Sequence, residues 1–260
     1  TFNAEYFSGI PVYLKAIPDI GYQFSHWEGG LTGNTNEAEI NPVSDVSIKA
    51  VFIASGASII SSPVSSDTIL TEDNSPYYAN GDIIVNQNVT LQINEGVQIN
   101  MAEKSGFYIY GNLNIYGTKD KPVIIKENST VEAKEWGALC FENCTDTNII
   151  NYLILENATK GNDPYNFIAA ISAYNASLKL NHINIEKIPT QPIFTQFGTI
   201  VLKNSKLHSY GTCDLINVKY ADFALVENCN LKGNNAFDTD AIDYDQITKG
   251  IIQGNKIHDF

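Results

Sequence analysis

The stretch Ile150-Asn151-Tyr152-Leu153-Ile154-Leu155-Glu156-Asn157-Ala158 decides the fold, because its shape returns along the rest of the chain. An aliphatic residue recurs at Leu153, Ile183, Leu207, Leu231 and Ile257, with a longer first interval and nearly even ones after it. Two positions before each stands a small or polar residue: Asn151, Asn181, Ser205, Cys229 and Asn255. A recurrence of about two dozen positions is the mark of a solenoid, in which each turn buries its aliphatic residues and stacks them on the next. Asparagine, serine or cysteine at a repeated corner can hydrogen-bond to its counterpart one coil away, and asparagine also tolerates left-handed backbone. The chain holds 29 asparagines, many at these corners.

Upstream the pattern is one of short strands. Val89-Thr90-Leu91-Gln92-Ile93, Leu113-Asn114-Ile115-Tyr116 and Val123-Ile124-Ile125 are rich in β-branched residues, and runs of this kind end in Gly or Asn. No helical period is sustained over 12 residues. An antiparallel sandwich and a parallel coil both fit such strands, and the long, regular recurrence selects the coil.

Several motifs in residues 66 to 260 resemble the right-handed parallel β-helix domains of the pectin-lyase-like superfamily. They are N-x-T-L-x-I-x-x-G-V-x-I (Asn88 to Ile99), G-N-L-x-I-x-G-T with K-P-V-I-I (Gly111 to Ile125), W-G-x-L-x-F (Trp136 to Phe141) and I-x-Y-L-x-L-E-N-A (Ile150 to Ala158). The resemblance implies fold more than activity, since that superfamily contains lyases, hydrolases, epimerases, adhesins and stalks. The N-terminal segment, 1–55, differs. Pro18, Gly21, Tyr22, Phe24, Trp27 and Gly29 match, in register, the P-x-x-G-Y-x-F-x-x-W-x-G run of bacterial internalin B-type repeat modules, and Ser47 to Phe52 supplies a closing strand. Such modules are spacers or stalks on secreted proteins. Trp27 reads as the core of this small unit, beside Tyr22, Phe24 and Phe52.

The expected organisation is therefore all-β: a small β repeat module over 1–55, a serine-rich linker over 56–66, and a right-handed parallel β-helix over 67–260. The repeat runs on without a cap, so the helix is expected to be incomplete at the C-terminus and the chain to be a piece of a longer protein with further domains.

Composition excludes some partners. The net charge is −13 and all 16 basic residues are lysines. Arginine is the preferred bidentate reader of phosphate, so an acidic, arginine-free surface is a poor nucleic-acid binder. No apolar stretch is long enough to span a membrane. Four cysteines (Cys140, Cys144, Cys213, Cys229) contain no C-x-x-C pair, and they read as buried free thiols, with a Cys140–Cys144 bridge as the alternative.

Chemistry concentrates in Asp238-Thr239-Asp240-Ala241-Ile242-Asp243-Tyr244-Asp245. On a strand, Asp243 and Asp245 share one face and Ile242 and Tyr244 the other. Three readings stand. Asp238, Asp240, Asp243 and Asp245 could coordinate calcium, the cofactor such a cluster implies. They could supply an acid/base pair for polysaccharide cleavage, making the chain a lyase or hydrolase. They could be a solvated acidic turn. Tyr108, Tyr110, Tyr116, Tyr152, Tyr165 and Tyr174 are candidates for a sugar-binding face. The leading expectation is a secreted or cell-surface bacterial module, non-catalytic, that binds a polysaccharide or cell-surface glycan or acts as an adhesin or structural stalk.

Overall fold

The computed structural model describes residues 4–56, 58–128, 135–237 and 239–260. Two compact units divide at Ala57 and Ser58. In the first, Val12–Lys15 pairs antiparallel with Glu37–Ile40, and Tyr22–Gly29 with Ile48–Ala54. Trp27 is buried there, as expected. Its Nε1 donates to Thr35 O at 2.8 Å, and its ring lies 5.2 Å from that of Phe24.

The second unit is a parallel β-helix. Among the described residues three parallel sheets of nine, seven and eight strands run along it, and the chain visits them in rotation. Short strands with alternating burial make each coil, because inward residues must be apolar and outward ones need not be. In the nine-stranded sheet one inward ladder runs Tyr77, Ile99, Ile125, Leu155, Ile185, Leu207, Leu231, Ile257.

This ladder corrects the recurrence read from the sequence. Leu207 stacks on Ile185, not on Ile183, and Leu153 belongs with Val123 one step earlier along the strand. Leu153 and Leu155 both point inward, so a slip of two positions leaves the hydrophobic pattern unchanged. The strand Asn184–Ile188 also shifts register between Ile185 and Ile188. The corner polar residues behave as expected, with partners set by the true register. Asn204 Nδ2 donates to Asn181 Oδ1 at 2.9 Å, and Cys229 N donates to Asn255 Oδ1 at 2.7 Å. Asn148, fully buried, accepts from Leu113 N at 2.8 Å, so its side chain satisfies a backbone donor between neighbouring coils.

The stretch expected to be a linker joins the solenoid from residue 58. Ser58–Ile59 pairs in parallel with Tyr77–Tyr78, and Ile60 and Val64 are buried. The serines obscured two core side chains, and Ser62 Oγ accepts from Ile84 N at 3.1 Å. The four cysteines are free: Cys140 lies on the outer side of the seven-stranded sheet, and Cys144 sits at the corner beyond it, with its thiol on Ile109 O.

Close approach of coils fixes some glycines. A Cβ on Gly111 would overlap the carbonyl oxygens of Asn86 and Val89 in the preceding turn. Gly111→Ala should therefore cost roughly 1–3 kcal/mol and lower the melting temperature by about 2–10 °C, read by calorimetry.

Candidate functional site

The outer side of the seven-stranded sheet gathers most of the chemistry. Register aligns Ile84, Tyr108, Cys140, Ser172, Phe194, Asn217 and Asp243 in one outward column. Two positions on, Glu142, Tyr174, Gln196, Lys219 and Asp245 form a second column. The next position turns the corner, and there Asn143, Asn175, Phe197, Tyr220 and Gln246 all adopt left-handed backbone, with φ between +48° and +54°.

The early coils of this face are sealed. Phe167, on the connection between Leu153–Glu156 and Ala169–Tyr174, packs on Tyr108, Ala138 and Cys140. The Asn162 N–H donates to the Tyr108 hydroxyl at 3.1 Å. Burial pushes the Tyr108 hydroxyl up to about 12 and raises the Cys140 thiol as well, so neither ionises at neutral pH.

The acidic segment lies on the later coils. Asp243 and Asp245 face outward, while Ile242 and Tyr244 pack against the core, as the alternation predicted. Asp243 does not meet its sequence neighbours. Its Oδ2 accepts from Asn217 Nδ2 at 2.8 Å, and the same nitrogen lies 3.3 Å from Asp214 Oδ2. Asp214 Oδ1 accepts from the Asp240 backbone N–H at 2.9 Å, and Asp240 itself is exposed. Asp245 Oδ2 is 3.7 Å from Lys219 Nζ. Asp238 lies outside the described residues. Among the described residues no group of three or more His, Cys, Asp or Glu side chains is arranged to hold a metal ion. Burial raises the Asp243 carboxyl above the ordinary aspartate range, Asp214 adds to the rise, Lys219 opposes it, and Asp240 and Asp245 contribute further. Asn217 is only 8% exposed, and its Oδ1 has no hydrogen-bond partner.

The tyrosines anticipated as a sugar-binding face are dispersed. Tyr108 is buried and Tyr110 half-buried beneath the same cover. Tyr116 lies at the end of a strand of the eight-stranded sheet, and Tyr152 stacks on His182 at a different corner. Tyr165 protrudes from the connection that carries Phe167. Tyr174 alone of the six joins an aromatic row, and the two other members were not anticipated. Its ring meets Phe197 edge-on at 5.6 Å, and Phe197 stacks on Tyr220 at 5.0 Å with 14° between the planes. Phe197 and Tyr220 remain 43% and 41% exposed. Beside them opens a cleft of about 380 Å³, whose lining includes Asn175, Ser177, Phe197, Gly198, Tyr220 and Asp222. The signal for this shelf was an aromatic residue at the corner position where earlier coils carry Asn143 and Asn175, and it becomes visible only once the register is known.

The backbone of the shelf is that of the solenoid's other corners, where Tyr152 and His182 also stack in left-handed conformation. Left-handed φ costs a non-glycine residue roughly 1–2 kcal/mol, which asparagine offsets by local hydrogen bonding and a ring cannot. Asn175 Nδ2 accordingly donates to Asn143 Oδ1 at 2.8 Å. Phe197 and Tyr220 give up that arrangement and present rings to solvent instead.

Comparison with known proteins agrees with this architecture. Residues 63–165 match the pectate-lyase-like beta helix domain, and residues 1–56 match the divergent InlB B-repeat domain. Both resemblances read from the sequence are thus upheld, and domains of these types point to an extracellular or surface module. The protein bark beetle of Drosophila melanogaster is 33% identical over 69 residues, which is 26% of this chain and 2% of that protein. No solved structure matches. Among the described residues no helix is long and apolar enough to cross a membrane.

Proposed function

We propose that this extracellular pairing of a repeat module with a β-helix is a non-catalytic glycan-binding unit, and that the sugar lies on the Phe197–Tyr220 shelf. The observation that carries the reading is two half-exposed, stacked rings held in left-handed backbone beside a cleft. Strain kept at an exposed position, where asparagine would relieve it, is characteristic of binding sites. An apolar ring face flanked by a few polar groups (Asn175, Ser177, Asp222) suits the mixed polar and C–H surface of a pyranose. The experiment is glycan-array and calorimetric binding by the whole chain, compared with a variant in which both rings are removed. A wild-type chain that captures no glycan removes the proposal.

A second reading concerns calcium, and Asn217 favours it. Asp214 and Asp243 converge on one amide whose oxygen has no partner, in a residue that is almost entirely buried. We propose that a calcium ion is held by Asp214 and Asp243 with the Asn217 amide turned over, so that its oxygen replaces its nitrogen between the two carboxylates. Oxygen-only ligands of this kind suit a hard cation.

Without the ion, ionised Asp243 is unfavourable in the fold. A carboxyl whose folded pKa is raised favours folding while it is protonated, and that contribution is lost as pH rises through the folded value. Asp243→Asn should therefore raise the metal-free melting temperature at pH 7. The gain should vanish as the pH falls below the ordinary aspartate value of about 3.9. Added calcium should raise the melting temperature of the wild type relative to chelator, and should do so much less for Asp243→Asn. Identical wild-type melts with calcium and with chelator would exclude the ion.

A further inference from the structure

We infer that the glycan taken by the Phe197–Tyr220 shelf is cationic, a polymer of hexosamine whose amino groups are not acylated. The inference rests on the glycan-binding reading and adds the chemical class of the ligand. Three carboxylates lie around the shelf. Asp222 lines the cleft itself, and Glu142 and Asp245 stand in the outward column immediately before the corner. The column's cation, Lys219, is paired with Asp245 at 3.7 Å, which leaves a surplus of negative charge facing the rings. The whole chain carries −13, so the long-range field has the same sign and draws cations toward the surface.

Another cation close by in the coils, Lys249, is already engaged, with its ammonium 5.9 Å from the centre of the Phe223 ring. Phe223 follows Asp222, so the protein's own lysine makes, one position from the cleft, the contact proposed for the ligand: an ammonium over an aromatic face near a carboxylate. The other large cleft has a different character. Lys104 and Lys160 line it beside Glu135, so its lining, unlike that of the aromatic cleft, carries basic side chains. A uronic-acid polymer brought to the shelf would set its carboxylates against Asp222. A neutral sugar can donate hydroxyl hydrogen bonds to Asp222 but brings no charge to offset it. A protonated 2-amino group on a stacked ring satisfies both the quadrupole of Phe197 and Tyr220 and the Asp222 carboxylate.

The test is isothermal titration of the full chain and of Asp222→Asn with three oligosaccharides of equal length: glucosamine, N-acetylglucosamine and galacturonate. Wild type should bind the glucosamine oligomer at least tenfold more tightly than the acetylated one, a ratio of about one charge-assisted contact, and should lose that margin at high salt. Asp222→Asn should erase the margin at low salt by weakening the glucosamine oligomer far more than the acetylated one, with an unaltered melting temperature as the folding control. Equal affinity for the amino and acetylated oligomers overturns the cationic assignment and leaves glycan binding standing. Preference for galacturonate overturns it as well. If none of the three binds and a wider glycan array is also blank, both this inference and the reading beneath it fall.

Discussion

Replacing Phe197 and Tyr220 together by asparagine should abolish glycan binding while leaving the β-helix as stable as before. The two halves of this result have separate causes. Aromatic anchors at the centre of a site carry most of its affinity, and removing two should weaken binding by on the order of 100-fold or more. Stability should hold because the terms oppose each other. The stacked pair contributes about 0.5–1.5 kcal/mol beyond burial, and both rings remain more than two-fifths exposed, at 43% and 41%. Asparagine returns the left-handed penalty of roughly 1–2 kcal/mol per residue. It also restores a corner ladder like that of Asn143 and Asn175. The melting temperature should stay within about 3 °C of wild type. If binding persists, the sugar lies elsewhere. If instead the fold loses several kcal/mol, the rings belong to the scaffold, and their exposure is incidental.

Trp136→Ala should produce the largest loss of stability from a single substitution. Trp136 is fully buried, and its Nε1 donates to Glu156 O at 2.7 Å, tying one coil to the next. Its backbone bridges Ala158 in parallel. Truncation removes a large apolar side chain and leaves a cavity, at a cost of about 3–5 kcal/mol. It also leaves the Glu156 carbonyl without its donor, at about 1 kcal/mol or more. For a unit of this size the β-helix transition should fall by roughly 8–20 °C. Calorimetry checks the size of the fall, and Trp136→Phe separates the two terms by keeping most of the volume while losing the hydrogen bond. A drop of only a degree or two for Trp136→Ala would mean that the coil collapses around the gap or that neighbouring coils carry it without help.

Much of this was legible from residue order. Alternation over Val89–Ile93 and Leu113–Tyr116 marked strands, the W-G-x-L-x-F run marked a buried coil, and Trp27 declared itself the centre of a small module. The candidate site was less so. Asp243 and Asp245 were correctly assigned to one face of a strand, yet the groups that surround Asp243 are Asn217 and Asp214, a full coil earlier in the chain. The linker was misread because serines masked Ile60 and Val64, whose burial depends on coils that follow them.

The sequence by itself determined that this chain winds parallel coils with an alternating apolar interior, and that a separate repeat module precedes them. Both follow from local rules: a period of two fixes which side chains turn inward, and a long, near-regular recurrence fixes that turns stack. Tertiary structure alone decided which residues of different coils lie side by side. Alternation is blind to a slip of two positions, and corners of unequal length make the spacing vary coil by coil. That is why Leu207 rests on Ile185, and why Phe197 and Tyr220, inconspicuous in the sequence, meet in one exposed stack.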